Sequence, residues 1–190
     1  MRPVVTAAIA MALAVLGAQS AAYASAASAP AASAAQAREP VAENPQIDYA
    51  AFTDLVVRLG PVREAHRLAW NDWLSAARQG SAIVLDTRSA EAFARGHIRG
   101  AVNLPFSDFT DSKLRSVLGD NPRRAIFIYC NNNFRDDRPP VPLKRAPLAL
   151  NIPTFVNLHG YGYTNVWELA DALTADELGA DWVATPQASS

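Results

Sequence analysis

The residues in this chain best placed to do chemistry are Cys130-Asn131-Asn132-Asn133-Phe134-Arg135. Cys130 is the only cysteine in 190 residues. It follows Ile126-Phe-Ile-Tyr129, a short β-branched and aromatic run that reads as a buried strand. The strand therefore stops where the thiol appears, and a polar loop follows. In open α/β sheets, reactive groups gather at the carboxyl ends of strands, where the next loop is accessible. A thiol there is either a nucleophile or a small buried side chain. As a nucleophile it must ionise, which requires its pKa to fall from ~8.5 through cationic neighbours or converging backbone N–H groups. Arg135 is the charge in the loop that could meet an anionic substrate, and the asparagine amides offer further donors to the sulfur.

Metal chemistry is not indicated. His66 and His159 lie in unrelated segments, and with one cysteine they make no ligand pattern. No organic cofactor motif is present either. Lys plus Arg (17) nearly balances Asp plus Glu (18), so no basic excess points to nucleic acid.

The first 24 residues read as a signal peptide. Arg2 is the positive n-region, Val4 to Ala18 the apolar core, and Ala22-Tyr23-Ala24 an A-x-A cleavage site. The expected location is exported, bacterial periplasm or secreted, with no stable membrane insertion after cleavage. Outside the cytosol structural cysteines usually pair, and a single one has no partner in its own chain. Residues 25–47, rich in Ala, Ser and Pro, read as a disordered linker.

The elements that must position Cys130 follow from Asp48 onward. Phe52, Leu55, Val56 and Leu59 share one helical face, and Gly60-Pro61 is expected to end that helix. Arg63 to Leu68 reads as a short edge strand and Asn71 to Arg78 as a helix closed by Gly80. Ala82 to Asp86 is an apolar run of the buried parallel type. Ser89 is the expected N-cap of a helix stopped by Gly96. A strand at Ala101–Leu104, a helix over Ser107–Leu118 and the 126–130 strand come next. The proline-rich stretch 136–147 cannot be regular helix. Leu148 to His159 reads as a helix kinked at Pro153, Val166–Leu169 as the last strand, and 179–190 as a tail. Trp70, Trp73 and Trp167 are expected in the core. Short strands alternating with helices predict one α/β domain, 48–178, around a parallel sheet.

Three segments together resemble the rhodanese family of sulfurtransferases. They are Leu85-Asp86-Thr87-Arg88, the run Gly96-His97-Ile98-Arg99-Gly100-Ala101-Val102-Asn103-Leu104-Pro105, and Tyr129-Cys130 with Arg135 five residues on. Gly160 to Trp167 adds a weaker match, and the resemblance spans residues 63–173. It implies a rhodanese-like three-layer domain, a central parallel sheet of about five strands flanked by helices. It also implies that Cys130 carries a persulfide sulfur, with Asn131, Asn132, Asn133, Phe134 and Arg135 as the substrate-binding loop. Asp86, Arg88 and His97 are then structural support, Asp86 and Arg88 as an ion pair. The implied partner is a small sulfur-containing anion or a protein thiol, and no cofactor is needed.

Cys130 to Arg135 has the loop length of the sulfurtransferases. The related arsenate-reductase and phosphatase branch carries its arginine one residue later, where this chain has Asp136, so phosphate chemistry is disfavoured. Two departures stand out. Asn133 replaces the usual loop glycine, and asparagine is one of the few residues that tolerate left-handed backbone. Residues 136–147 replace the helix that normally follows the loop, so its dipole is either lost or supplied by a later helix. These departures define an alternative function: a catalytically weak binding or thiol redox-sensing module that uses the loop and the proline-rich insertion.

Overall fold

The computed structural model describes residues 44–136 and 143–184. The expected signal peptide, nearly all of the linker, residues 137–142 of the proline-rich stretch and residues 185–190 lie outside the described residues. Contacts divide the chain after Pro45, and the account that follows concerns the unit beginning at Gln46.

The elements in order are α1 (Tyr49–Ala65), β1 (Arg67–Leu68), α2 (Trp70–Ala77), β2 (Ile83–Asp86), α3 (Ala90–Arg95), β3 (Gly96–Ile98), β4 (Val102–Asn103), α4 (Asp111–Leu118), β5 (Ile126–Tyr129), α5 (Asn151–Gly160), β6 (Val166–Leu169), α6 (Ala175–Leu178) and β7 (Trp182–Ala184). Five strands form one sheet in the order β1-β6-β5-β2-β4, and every pairing in it is parallel. This is the α/β architecture expected from the alternating pattern, a five-stranded parallel sheet between helical layers.

Strand alternation assigns the two faces. Leu85, Ile126, Ile128 and Val166 point to one side, where Leu59 of α1, Leu114 and Leu118 of α4, and Phe155 and Leu158 of α5 cover them. Phe127, Tyr129 and Leu169 point to the other side, where Trp73 of α2 and Leu178 of α6 pack. Trp73 is fully buried, and Trp167 packs against that same cluster. β5 and β2 are central, and the chain leaves their carboxyl ends in different directions. Such a crevice is where parallel α/β sheets place ligands.

Four local expectations are corrected. The first helix runs through Gly60 and Pro61 to Ala65, so the expected strand over Arg63–Leu68 shrinks to Arg67–Leu68. Proline removes one intrahelical bond. Packing of Leu55 and Leu59 onto the α5 side of the core holds the helix across it, with Leu55 placed against Gly160. Pro153 produces no kink, because α5 starts at Asn151 and the missing N–H falls in the first turn, where it has no intrahelical partner. The helix over Ser107–Leu118 is confined to Asp111–Leu118, capped by Thr110 and preceded by a 3₁₀ turn.

The fourth correction is the tail. Residues after Ala170 continue as α6 and then β7, which pairs antiparallel with β3 (Gly96↔Ala184, Ile98↔Trp182). The reason is visible at Gly96, where a Cβ would lie 2.3 Å from the Trp182 indole. Only glycine admits that ring, and a short two-stranded ladder with one aromatic plug is too local to show in hydrophobic periodicity.

Candidate functional site

Cys130 lies one residue beyond β5, between the carboxyl ends of β2 and β6. Its backbone is extended (φ −145°, ψ −172°), so its side chain shares the face of Ile128 beneath α1 and α5. The thiol is fully buried. Asn131–Asn133 then wind into a 3₁₀ turn, and a reciprocal cap forms in which the Cys130 and Asn133 side chains each accept the other residue's backbone N–H.

The backbone N–H groups of Asn132, Asn151 and Leu150 also hydrogen-bond the sulfur. Two of these belong to the start of α5. The chain thus brings a later helix back over the thiol, in place of the helix that the proline-rich stretch displaces. Burial pushes the Cys130 thiol up, the three N–H groups oppose it in the order given, and the Glu168 charge adds to the rise. Burial outweighs the amides, so the fold holds the thiol above its ordinary value, opposite in direction to the fall that a nucleophile in this loop requires.

The loop asparagines do three different jobs. Asn133 is buried, and its Oδ1 accepts from the Cys130 N–H (2.9 Å) and from Asn151 Nδ2 (2.9 Å). Its Nδ2 donates to the Leu169 carbonyl (2.9 Å) and the Asp171 carbonyl (2.8 Å). That amide is a brace between β5, β6 and α5, with no capacity left for a substrate. It also sits in a 3₁₀ turn, so the left-handed tolerance expected of it is not what the position uses. Asn132 holds the backbone of Lys144 through a donated bond of 2.7 Å and an accepted bond of 3.3 Å. Asn131 lines a neighbouring cleft.

Phe134 and Arg135 turn away from the sulfur. Phe134 is buried between Tyr129 (ring centroids 5.8 Å) and Trp182 (5.1 Å). Arg135 donates to the Ala172 carbonyl and to both Glu177 oxygens (2.5 and 2.6 Å), in an exposed ion pair. The chain after the turn is extended and runs beside residues 171–173, with Leu173 N–H on the Asn133 carbonyl and Arg135 N–H on the Leu173 carbonyl. An extended backbone puts successive side chains on opposite sides, which is why Phe134 enters the aromatic core while Arg135 reaches Glu177.

Beneath the loop, on the opposite sheet face, Asp86 and Arg88 form a buried ion pair at 2.6 Å. Arg88 also donates to the Gly96 carbonyl (2.7 Å), and its guanidinium lies over the rings of Phe134 (5.0 Å), Tyr129 (5.5 Å) and Trp182 (5.8 Å). Tyr129 completes the group by donating to Asp86 (2.6 Å) while accepting from the Ile98 N–H (3.1 Å). Asn103 holds the carbonyls of Asp86 and Arg88, both at 3.0 Å. His97 contacts the Phe93 carbonyl through Nδ1 (2.9 Å) and stacks on the Phe93 ring. Asp86, Arg88 and His97 therefore touch scaffold groups and not the sulfur.

A cleft of about 440 Å³ opens beside the thiol, lined by Thr87, Ser89, Phe106, Ser107, Asp108, Asn131, Lys144 and Leu150 among others. Cys130 does not line it. Leu150 belongs to both, lining the cleft while its backbone N–H meets the sulfur.

Sequence reasoning missed Asn151 and Glu168. The available signals were an asparagine opening an apolar helix and one carboxylate inside the apolar run Val166-Trp-Glu-Leu169. Glu168 is buried, with Oε1 on Arg63 (2.6 Å) and at 3.5 Å from Asn151 Nδ2. Among the described residues, no three His, Cys, Asp or Glu side chains gather as a metal site, and no helix is long and apolar enough to cross a membrane.

A family profile described as the Rhodanese-like domain matches residues 71–175, more than half of the chain. No protein with a curated description matches it. Among solved structures, the crystal structure of a rhodanese-3-like domain from an Anabaena protein is similar. It has 20% identity and a TM-score of 0.39, over 56% of this chain and 96% of that one. A solution NMR structure of a rhodanese-like domain from Anabaena has 17% identity and a TM-score of 0.45, covering 66% and 86%. A rhodanese with anions from E. coli has 19% identity and a TM-score of 0.36, covering 55% and 99%.

Proposed function

Because this chain belongs to the rhodanese-like domain family, a sulfurtransferase-like family, we propose that Cys130 carries a sulfane sulfur as a persulfide. The observation that supports this reading best is the convergence of backbone N–H groups from two separate elements, the Asn131–Asn133 turn and the start of α5, on a single sulfur. A lone core cysteine needs no such donors; an anionic sulfur does.

The chemistry runs in two displacements. Cys130 gives its proton to solvent, and the thiolate attacks the outer sulfur of a small sulfur-containing anion or a persulfidated protein thiol. The donor's S–S bond breaks, and its leaving group departs with the electron pair. A thiolate acceptor then takes the outer sulfur from Cys130, which returns to the thiolate. Donor approach runs through the cleft past Leu150, where Lys144 is the cation and Thr87, Ser89 and Asn131 supply donors. Arg135 takes no part in this reading, because Glu177 and the Ala172 carbonyl occupy it. Export by the first 24 residues belongs to the same proposal, and N-terminal sequencing of the mature protein tests it.

The atypical loop, braced by Asn133 and followed by the proline-rich stretch, favours one second reading, a binding or thiol redox-sensing module in which Cys130 is oxidised reversibly. Intact-mass measurement after treatment with thiosulfate, or with a small-molecule persulfide, separates the two. A one-sulfur adduct that disappears with added cyanide and with Cys130→Ser supports transfer. No adduct from either donor, together with ready sulfenylation by peroxide, overturns transfer in favour of the module.

A further inference from the structure

Cys130 is fully buried, yet sulfur transfer needs a donor in line with its Sγ and a path for its proton to solvent. One wall around the sulfur must therefore open. The Asn131–Asn133 turn is fixed by the four bonds of the Asn133 side chain. On the α5 side, Asn151 is buried and held to Asn133 Oδ1 at 2.9 Å. One turn further on, Thr154 is fully buried, with its Oγ1 3.5 Å from that of Thr87. Helix α5 is thus pinned from its first turn.

The chain just before α5 is built differently. Residues 144–148 are all exposed, Leu148 at 64%, and the backbone becomes half-buried only at Ala149 and Leu150. Two hydrogen bonds of this stretch are internal, Leu148 N–H on the Arg145 carbonyl (2.7 Å) and Ala149 N–H on the Ala146 carbonyl (3.2 Å). They close a 3₁₀ turn around Pro147, which has no N–H to give. A segment with little buried apolar surface opens at low free-energy cost, and one with its own bonds moves as a unit. Asn132 ties it to the loop, gripping both sides of Lys144 by donating to its carbonyl (2.7 Å) and accepting its N–H (3.3 Å). Leu150 lines the cleft while its N–H meets the sulfur, so the wall between cleft and thiol is there one residue thick.

We infer that residues 144–150 are a strap that gates Cys130, with Asn132 as its latch, and that a donor in the cleft reaches the sulfur when the strap lifts at the junction of Leu150 with α5. Lifting releases both Asn132 bonds, the Leu150 N–H from the sulfur, and the Ile152 N–H from the Ala149 carbonyl (3.1 Å). The N–H groups of Asn132 and Asn151 stay on the sulfur, and no covalent bond changes. Asn132 is then a positioning residue that sets access to the thiol, not a group that touches the donor. The purpose of the gate rests on the sulfur-transfer reading, but its opening needs no sulfur donor.

Because Cys130 is the only cysteine, iodoacetamide alkylation of the full-length protein followed by intact mass reads this site alone. Asn132→Ala is expected to be alkylated about tenfold faster than the wild type, through loss of two bonds that each contribute several-fold. Its urea midpoint should stay at the wild-type value. Its alkylation rate should be nearly flat in urea well below that midpoint, because local lifting exposes little surface. The rate ratio should also be the same at two pH values, since the Asn132 side chain does not set ionisation of the sulfur. A rate within about twofold of wild type overturns the gate. So does an acceleration matched by an equal loss of global stability, or a ratio that changes with pH. Hydrogen exchange of the wild type tests it without any variant. The Leu150 N–H should be at least about a hundredfold less protected than the Thr154 N–H, which is bonded to the Leu150 carbonyl at 3.0 Å. Equal protection of the two overturns the gate. Neither measurement requires a persulfide, so failure here is distinct from failure of sulfur transfer.

Discussion

Replacing Asn133 with alanine tests whether one amide holds the loop. The side chain makes four hydrogen bonds of 2.8 to 2.9 Å while only 4% exposed. Truncation leaves the Cys130 N–H without its acceptor, strips Asn151 Nδ2 of its shorter bond, and removes a donor from the carbonyls of Leu169 and Asp171. At about 1 kcal/mol net per neutral bond, with a larger cost for the two donors stranded inside, the loss comes to roughly 3–5 kcal/mol. That is a large share of the ~5–15 kcal/mol that keeps an ordinary domain folded. Urea titration followed by tryptophan fluorescence should show a lower midpoint with the slope unchanged, and the melting temperature should fall by about 10–15 °C. Asn133→Asp is the control for hydrogen-bond direction. Its second oxygen would face two carbonyls, so it should be no more stable than the alanine variant at neutral pH. A loss below about 1 kcal/mol for Asn133→Ala would refute the bracing argument, since four buried bonds cannot vanish so cheaply without already being satisfied elsewhere.

Two further outcomes follow from the ion pairs. Arg88→Ala leaves Asp86 buried without its cation and should cost about 3–5 kcal/mol in urea unfolding, with Arg88→Lys intermediate because a lysine cannot keep the bidentate contact and the stacked rings. Arg135→Ala removes only an exposed ion pair and one exposed bond to the Ala172 carbonyl, so stability should change little and the rate of persulfide formation should be unaffected. A tenfold slower rate in that variant, about 1.4 kcal/mol in the barrier, would place the guanidinium at the substrate after all.

Several features were legible along the chain because they are local. The 126–129 and 83–86 strands announce themselves as short apolar runs between polar breaks. The ends of α3 show in the Ser89 cap and Gly96, and the motifs around Asp86, Gly96 and Cys130 identify the fold. The position of Cys130 at a strand's carboxyl end follows from the same reading. Pro61 and Pro153 were misleading for one reason. A proline's cost depends on which backbone bond it removes and on what packing holds the helix, and neither is written in its neighbours.

The chemistry of the site was decided in three dimensions. Sequence adjacency put Phe134 and Arg135 beside Cys130, but an extended chain throws successive side chains to opposite sides, and one went to the aromatic core and the other to Glu177. Residues 20 or more positions away took their place. Leu150 and Asn151 bring N–H groups because α5 folds back over β5, and Glu168 arrives because β6 pairs with β5 in that register. The lone cysteine and its strand are properties of the sequence. Whether that sulfur rests as a thiol or a thiolate is set by burial, converging amides and one distant carboxylate, quantities that exist only once the sheet has assembled.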